Sequence, residues 1–161
     1  MLLAGCGGKI ETIKVRPLEF QAQAISDTSP APQNVVPNSP RLARAIELYE
    51  TGEFTAARDA LDQMLWEAPR GWRVYYYLGR AHTECRQYQL AQSRLEHSLG
   101  LAPAENVTRS QIYLALAENL EVQGDPARAR QYYLTALNLD PQSVAASEAL
   151  KRLEGLTQLT D

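Results

Sequence analysis

At 161 residues the chain has room for one compact domain and a tail but not for several domains. Hydrophobic residues at 45 % and charged residues at 22 % give the balance of a globular chain, which excludes a disordered or membrane-embedded composition. With a formal net charge of −3 and its Lys and Arg dispersed, the sequence offers no basic block to a phosphate backbone, so nucleic acid is not an expected partner.

Near its start the chain carries Leu3-Ala4-Gly5-Cys6, in which small residues precede a cysteine, followed by Gly7-Gly8. A polar stretch then ends in Ser29-Pro30-Ala31-Pro32-Gln33-Asn34-Val35-Val36-Pro37-Asn38-Ser39-Pro40. Proline at that density opposes packing and favours an extended tether. Leu3 to Cys6 resemble the lipobox of a bacterial lipoprotein signal, which implies acylation of Cys6 and a tether over residues 7–39. A signal peptide needs a charged start and an apolar run of about 7 to 15 residues, whereas only Met1 and Leu2 precede the box. Residues 1–6 are therefore expected to be the remnant of a longer signal. The other reading takes Met1 as the true start, leaves Cys6 an ordinary cysteine and keeps the protein in the cytoplasm. Lys9 to Phe20 alternates only in part, which assigns no element. Cys6 and Cys85 lie far apart and are read as two separate residues.

From residue 40 the apolar pattern becomes helical and repeats. Glu67-Ala68-Pro69, Leu101-Ala102-Pro103 and Leu139-Asp140-Pro141 each close a helical run, with Pro103 following Pro69 by 34 residues and Pro141 following Pro103 by 38. Small residues recur in register at Ala45, Gly79 and Ala117, and again at Ala57, Ala91 and Ala129. Large residues interleave on three lines: Leu48, His82 and Leu120; Leu61, Leu95 and Tyr133; Leu65, Leu99 and Leu137. The turns between paired helices fall at Gly52-Glu53-Phe54, Arg86-Gln87-Tyr88 and Gly124-Asp125-Pro126. Antiparallel helices approach closely only where one side chain is small and a bulky neighbour fills the groove beside it, so small and large must recur together.

This period and alternation resemble the tetratricopeptide repeat, a helix-turn-helix unit. The resemblance covers residues 40 to 141 and implies an all-α fold. Three repeats, over about 40–71, 72–105 and 110–143, would form a right-handed solenoid within a domain spanning 40–161, preceded by the extended N-terminal tail. The four extra residues within Ala104 to Ser110 amount to about one helical turn, roughly 6 Å, and lengthen a helix or a loop there. Beyond Pro141, Val144, Ala145, Ala149, Leu150 and Leu153 keep helical spacing up to Gly155, as a capping helix over 143–155 would.

Stacks of such repeats curve, and the resemblance implies that the first helix of each pair lines a concave surface that holds a peptide or partner helix. At about 100° per residue, Tyr75, Leu78, Gly79 and His82 share the core face. Arg73, Tyr76, Tyr77, Arg80 and Glu84 project to the other side. Tyrosine and arginine dominate binding hot spots, and tyrosines on an outward face have no core to explain them. The binding groove is therefore expected to centre on these residues. The same offsets add Ile46, Tyr49 and Glu50 from the first repeat and Leu114, Glu118 and Glu121 from the third. Some family members grip a chaperone's carboxy-terminal peptide with lysines and asparagines, but the matching places read Leu42, Ile46, Tyr77, Gln111 and Ala115, so that clamp is not expected.

His82 and Cys85 stand one turn apart, with His97 on the next helix, but His82 occupies a line that leucine fills in the other repeats. A packed, hydrogen-bonded histidine is the simpler account, and neither a metal nor another cofactor is expected. The sequence has no glycine-rich phosphate loop and no nucleophile paired with a base, so an enzyme is not expected. The chain reads as an adaptor for a protein or peptide partner, anchored at Cys6 to the bacterial cell envelope at the outer membrane facing the periplasm. It resembles lipoproteins that help secretion and pilus channels assemble. An unanchored cytoplasmic adaptor is the alternative, and an accessory subunit of an enzyme complex is a distant third.

Overall fold

The computed structural model describes residues 39–66 and 70–157, which form seven helices and no strand. Cys6, the tether as far as residue 38, the segment from Lys9 to Phe20 and the Glu67-Ala68-Pro69 marker lie outside the described residues. The helices are α1 (Pro40–Glu50), α2 (Phe54–Met64), α3 (Trp72–Glu84), α4 (Tyr88–Leu101), α5 (Asn106–Gln123), α6 (Pro126–Leu139) and α7 (Val144–Thr157). They pair as α1–α2, α3–α4 and α5–α6, and the first helices of neighbouring pairs also touch, α1 against α3 and α3 against α5. This is the all-α architecture of three helix-turn-helix repeats followed by a capping helix.

Start signals come from side chains. The Ser39 hydroxyl accepts from the Leu42 amide at 3.1 Å, and Asp125 accepts from the Arg128 amide at 3.0 Å. In both, proline follows at the first helical position, where a missing amide hydrogen is harmless. The turns within the three pairs share one geometry. The amides of Glu53, Gln87 and Asp125 each return to the carbonyl five residues earlier, on Leu48, His82 and Leu120, at 2.8–2.9 Å. This closure requires a left-handed residue, which Gly52 and Gly124 supply at φ +84° and +90°. The middle turn has Arg86 there at φ +59°, a conformation that disfavours a side chain by about 1 kcal/mol.

Packing follows the alternation of small and large. Ala45, Ala57, Ala91, Ala117 and Ala129 are fully buried, and so are Leu61, Leu95 and Tyr133 beside them. At Gly79 the helices come closer still. A Cβ built there would lie 2.6 Å from Leu95 Cγ and 3.2 Å from the Ala91 carbonyl oxygen, so even alanine would crowd this crossing. The four extra residues of the third repeat form the first turn of α5, which starts at Asn106 and runs 18 residues against 13 for α3.

Two sequence-based expectations for the last helix are corrected. Val144 and Ala145 are exposed, and the buried face is Ala146, Ala149, Leu150 and Leu153. The helix also continues past Gly155 to Thr157. Both follow from α7 taking the place of a first helix. Its buried residues fall 34 positions after Ile112, Ala115, Leu116 and Asn119 of α5, all buried as well. Lys151, 34 after the small Ala117, is exposed because no second helix packs on it among the described residues.

Gly79→Leu should overpack the crossing against Leu95 and destabilise the domain by about 1–3 kcal/mol or more. Urea denaturation measures this, and an unchanged midpoint would contradict the close approach of α3 and α4.

Candidate functional site

Three buried polar residues fix how the helices lie on one another, within repeats and between them. Asn119, fully buried, accepts from the Thr83 hydroxyl at 3.0 Å and donates to the Tyr88 carbonyl at 3.1 Å, joining α5 to both α3 and α4. The Ser98 hydroxyl donates to the Trp72 carbonyl at 2.9 Å, and that of Ser110 to the Ala136 carbonyl at 2.8 Å. Buried polar atoms left unpaired are costly, so these bonds select one register of helix on helix. Sequence reasoning passed over all three, because serine and asparagine on an apolar face read as interruptions until the partner carbonyl is known.

With the register fixed, α3 turns a face of aromatic and charged side chains away from α4. Tyr76 and Tyr77 pack edge to face with ring centroids 5.1 Å apart, and Tyr77 meets Tyr49 of α1 at 6.0 Å. The Arg80 guanidinium lies 5.1 Å from the Tyr49 ring centroid and 5.8 Å from that of Tyr76, within cation–π range. It also donates to the Tyr76 hydroxyl at 3.4 Å and stands 3.9 Å from a Glu118 carboxylate oxygen of α5.

Two depressions open on this face. The larger, of about 320 Å³, is lined by Arg80, Thr83 and Glu84 of α3, by Ala115, Glu118, Glu121 and Val122 of α5, and by Arg152 of α7. The smaller, of about 270 Å³, is lined by Trp72, Arg73, Tyr76 and Tyr77 of α3 and Gln111 of α5. No residue of α2, α4 or α6 takes part in either.

The expected groove residues fall into two sets. Arg73, Tyr76 and Tyr77 line one depression, Arg80, Glu84 and Glu118 line the other, and Tyr49 joins them through Tyr77 and Arg80. Glu121 also lines the larger depression, whereas Ile46, Glu50 and Leu114 line neither; Ile46 and Leu114 pack against the core. The expectation that Tyr76 and Tyr77 have no core to explain them is corrected. Both are half-buried, Tyr77 against the cluster around Leu42 and Leu78 and Tyr76 against that around Leu95 and Ile112, so they form the floor of the groove. Arg152 and Trp72 were missed. Arg152 falls 34 residues after Glu118, so repeat arithmetic would have found it.

Burial sets the protonation behaviour of the face. It pushes the Tyr49 hydroxyl up to about 12 and raises Tyr76 as well, so both rings stay neutral donors. It also raises the Glu118 carboxyl, against the pull of Arg80 and with the added push of Glu84 and Glu121. Glu121 behaves oppositely. Burial favours its protonated form, but Arg152 at 2.9–3.0 Å and the Tyr133 hydroxyl at 2.6 Å outweigh that and hold it below the usual carboxylate value. His82 Nδ1–H donates to Gln87 Oε1, 2.6 Å away, while the His97 ring packs on Tyr75 with centroids 4.3 Å apart. Among the described residues no group of three or more His, Cys, Asp or Glu is placed to hold a metal.

Paired helices, the shared turn and a face built from first helices alone define a tetratricopeptide-repeat domain. The sequence profile described as the protein kinase G tetratricopeptide repeat matches residues 11–157, and the chain belongs to that family. No curated protein matches the sequence. Among solved structures, the second tetratricopeptide domain of human RPAP3, in complex with an HSP70 peptide, is similar with a TM-score of 0.62 at 15 % identity, over 71 % of this chain and 92 % of that one. The Yersinia enterocolitica type III secretion chaperone SycD, in complex with a peptide of the translocator YopD, is similar with a TM-score of 0.61 at 17 % identity, over 73 % and 92 %. The Thermobaculum terrenum O-GlcNAc transferase is similar with a TM-score of 0.63 at 27 % identity, over 70 % of this chain but 21 % of that one.

The depressed value of Glu121 makes a pH-dependent contribution. It is fully present above the unfolded carboxylate value and lost as pH falls through the lower folded value. Arg152→Ala should therefore destabilise the domain by up to about 1 kcal/mol at pH 7 and by progressively less below about pH 4. Denaturation midpoints at pH 7 and pH 3.5 measure this; a difference that does not shrink would contradict the assigned pair.

Proposed function

We propose that the chain is a lipid-anchored adaptor that holds an extended segment of a partner protein against the face of α1, α3, α5 and α7. The observation that carries this reading is the continuous floor of Tyr49, Tyr77 and Tyr76 with Arg80 lying over it, between two depressions of about 320 and 270 Å³. Stiff aromatic rings and an arginine already oriented by them lose little freedom when a partner binds, which is why such groups dominate interface energetics. The similar RPAP3 and SycD domains, each in complex with a peptide, support the same use of the fold.

The anchor rests on Leu3-Ala4-Gly5-Cys6 and the proline-rich stretch behind it. Acyl chains on Cys6 would hold the domain at the bacterial outer membrane, facing the periplasm, with the stretch serving as its spacer. There the groove would recruit a component of an envelope assembly, of which secretion and pilus channels are the type.

Each half of the proposal has its own test. Native protein should require detergent for extraction, since each buried methylene of an acyl chain contributes about 0.8 kcal/mol, and Cys6→Ser should release it. Recovery of unaltered native protein in the soluble fraction with an unmodified Cys6 would leave an unanchored adaptor. For the groove, Tyr77→Ala should weaken binding of a partner recovered from native membranes by about 2 kcal/mol, roughly thirtyfold in Kd. Because Tyr77 also packs on the core, its melting curve is needed alongside. Tyr75→Ala, which removes a ring only 8 % exposed, is the control: it should cost more stability and leave affinity nearly unchanged. Normal binding by a folded Tyr77→Ala variant would move the site away from this face.

A further inference from the structure

The two depressions differ in chemistry, and that difference specifies a partner. The smaller is walled by the rings of Trp72, Tyr76 and Tyr77 together with Arg73 and Gln111, so it suits an aromatic or apolar side chain and offers no carboxylate to a cation. The larger brings three carboxylates, Glu84, Glu118 and Glu121, against two guanidiniums, Arg80 and Arg152. Those guanidiniums are already committed. Arg152 is bound through both nitrogens to Glu121 at 2.9–3.0 Å, and Arg80 faces the Tyr49 and Tyr76 rings with Glu118 at 3.9 Å. Glu84 is in no ion pair among the described residues and is exposed, and Glu118 is in no close ion pair, with Arg80 at 3.9 Å and Arg152 acting on it while held by Glu121. α3 and α5 both end beside this depression, at Glu84 and Gln123, so the negative ends of two helix dipoles add to the carboxylates. Ala115 and Val122, the latter 57 % exposed, give an apolar wall for the methylene stem of a long cationic side chain.

We propose that the groove is selective for an extended peptide carrying an apolar or aromatic side chain and, about three residues away, a lysine or arginine. The first would fill the Trp72, Tyr76 and Tyr77 depression, and the second would reach Glu84 and Glu118. This rests on the groove reading above and names its ligand class. The spacing comes from the helix. Tyr77 and Glu84 are seven residues apart on α3, about 10 Å at 1.5 Å per residue, and an extended chain covers that distance in about three residues at 3.3 Å each. A bound ammonium would give Glu118 a cation that is not already shared with Glu121 or the tyrosine rings, and the burial that raises its carboxyl would strengthen the pair by excluding water.

The test is fluorescence anisotropy with the full chain and three labelled heptapeptides in a Gly-Ser background. One carries Trp and Arg three positions apart, one carries Trp and Glu at the same places, and one carries Trp and Arg adjacent. The first should bind at least tenfold tighter than the other two, and its affinity should fall as salt rises. Glu84→Lys, an exposed position whose exchange does not disturb the core, should reverse the order of the Arg and Glu peptides. Equal or tighter binding of the Glu peptide, or no binding of any peptide at millimolar concentration, overturns the proposal. If Glu84→Lys changes nothing while Tyr77→Ala abolishes binding, the charge assignment fails and the groove reading survives; if neither variant changes binding, both fail. Sedimentation of the unliganded chain completes the experiment, since a dimer abolished by Tyr77→Ala would give the groove to a second copy and overturn the peptide assignment.

Discussion

The structure depends on one steric constraint: the first and second helices of each repeat must cross where a side chain is nearly absent. At Gly79 the space is filled by Leu95, whose Cγ would lie 2.6 Å from any added Cβ. Ala45 and Ala117 hold the same place in the other repeats and are fully buried. With that side of each first helix sealed against its partner, the opposite side of α1, α3 and α5 is left to face outward together. The groove is thus a consequence of where the small residues sit. Substituents on the sealed side change stability, and on the open side Tyr76 and Tyr77 still reach the core while Glu84 is exposed.

Close packing alone does not choose one rotation of helix on helix, and the polar contacts supply the choice. Asn119 joins α5 to Thr83 and to the start of α4, so the second and third repeats cannot slide without breaking two buried bonds. Glu121 performs a related task at the end of the stack, where the Tyr133 hydroxyl and the Arg152 guanidinium meet on one carboxylate and connect α5, α6 and α7. The capping helix therefore closes the apolar end of the third repeat and also furnishes Arg152 to the wall of the larger depression. Arg152 thus both ties the cap to α5 and lines the depression.

Much of this was legible in the sequence because repetition turns a weak signal into a strong one. A single alanine in a helix says little, but Ala45, Gly79 and Ala117 in register identify a crossing, and counting helical angles from the core line of Tyr75, Leu78, Gly79 and His82 reaches Tyr77 and Arg80 on the far side and Tyr76 at its edge. The same counting went astray where the repeat is incomplete. Val144 and Ala145 have helical spacing with the residues of the cap, yet they are exposed: Ala145 matches the exposed Gln111 of α5, and Val144 matches Ser110, which packs on α6, whereas no second helix follows α7 among the described residues. The half-burial of Tyr76 and Tyr77 was also beyond helical angles, since it arises from neighbouring repeats and not from α3 itself. Arg86 shows a further limit. Its left-handed backbone is dictated by the turn, and only comparison with Gly52 and Gly124 reveals the demand.

The central claim is that recognition belongs to the face of the first helices, and site-specific photo-crosslinking in living cells tests it most directly. A benzophenone amino acid placed at Tyr77, on the groove floor, is compared with the same group at Leu134 on α6, which is 38 % exposed and outside the groove. The account predicts a discrete crosslinked partner from Tyr77 and none from Leu134. Crosslinking from Leu134 with none from Tyr77 would contradict it and assign recognition to the second helices.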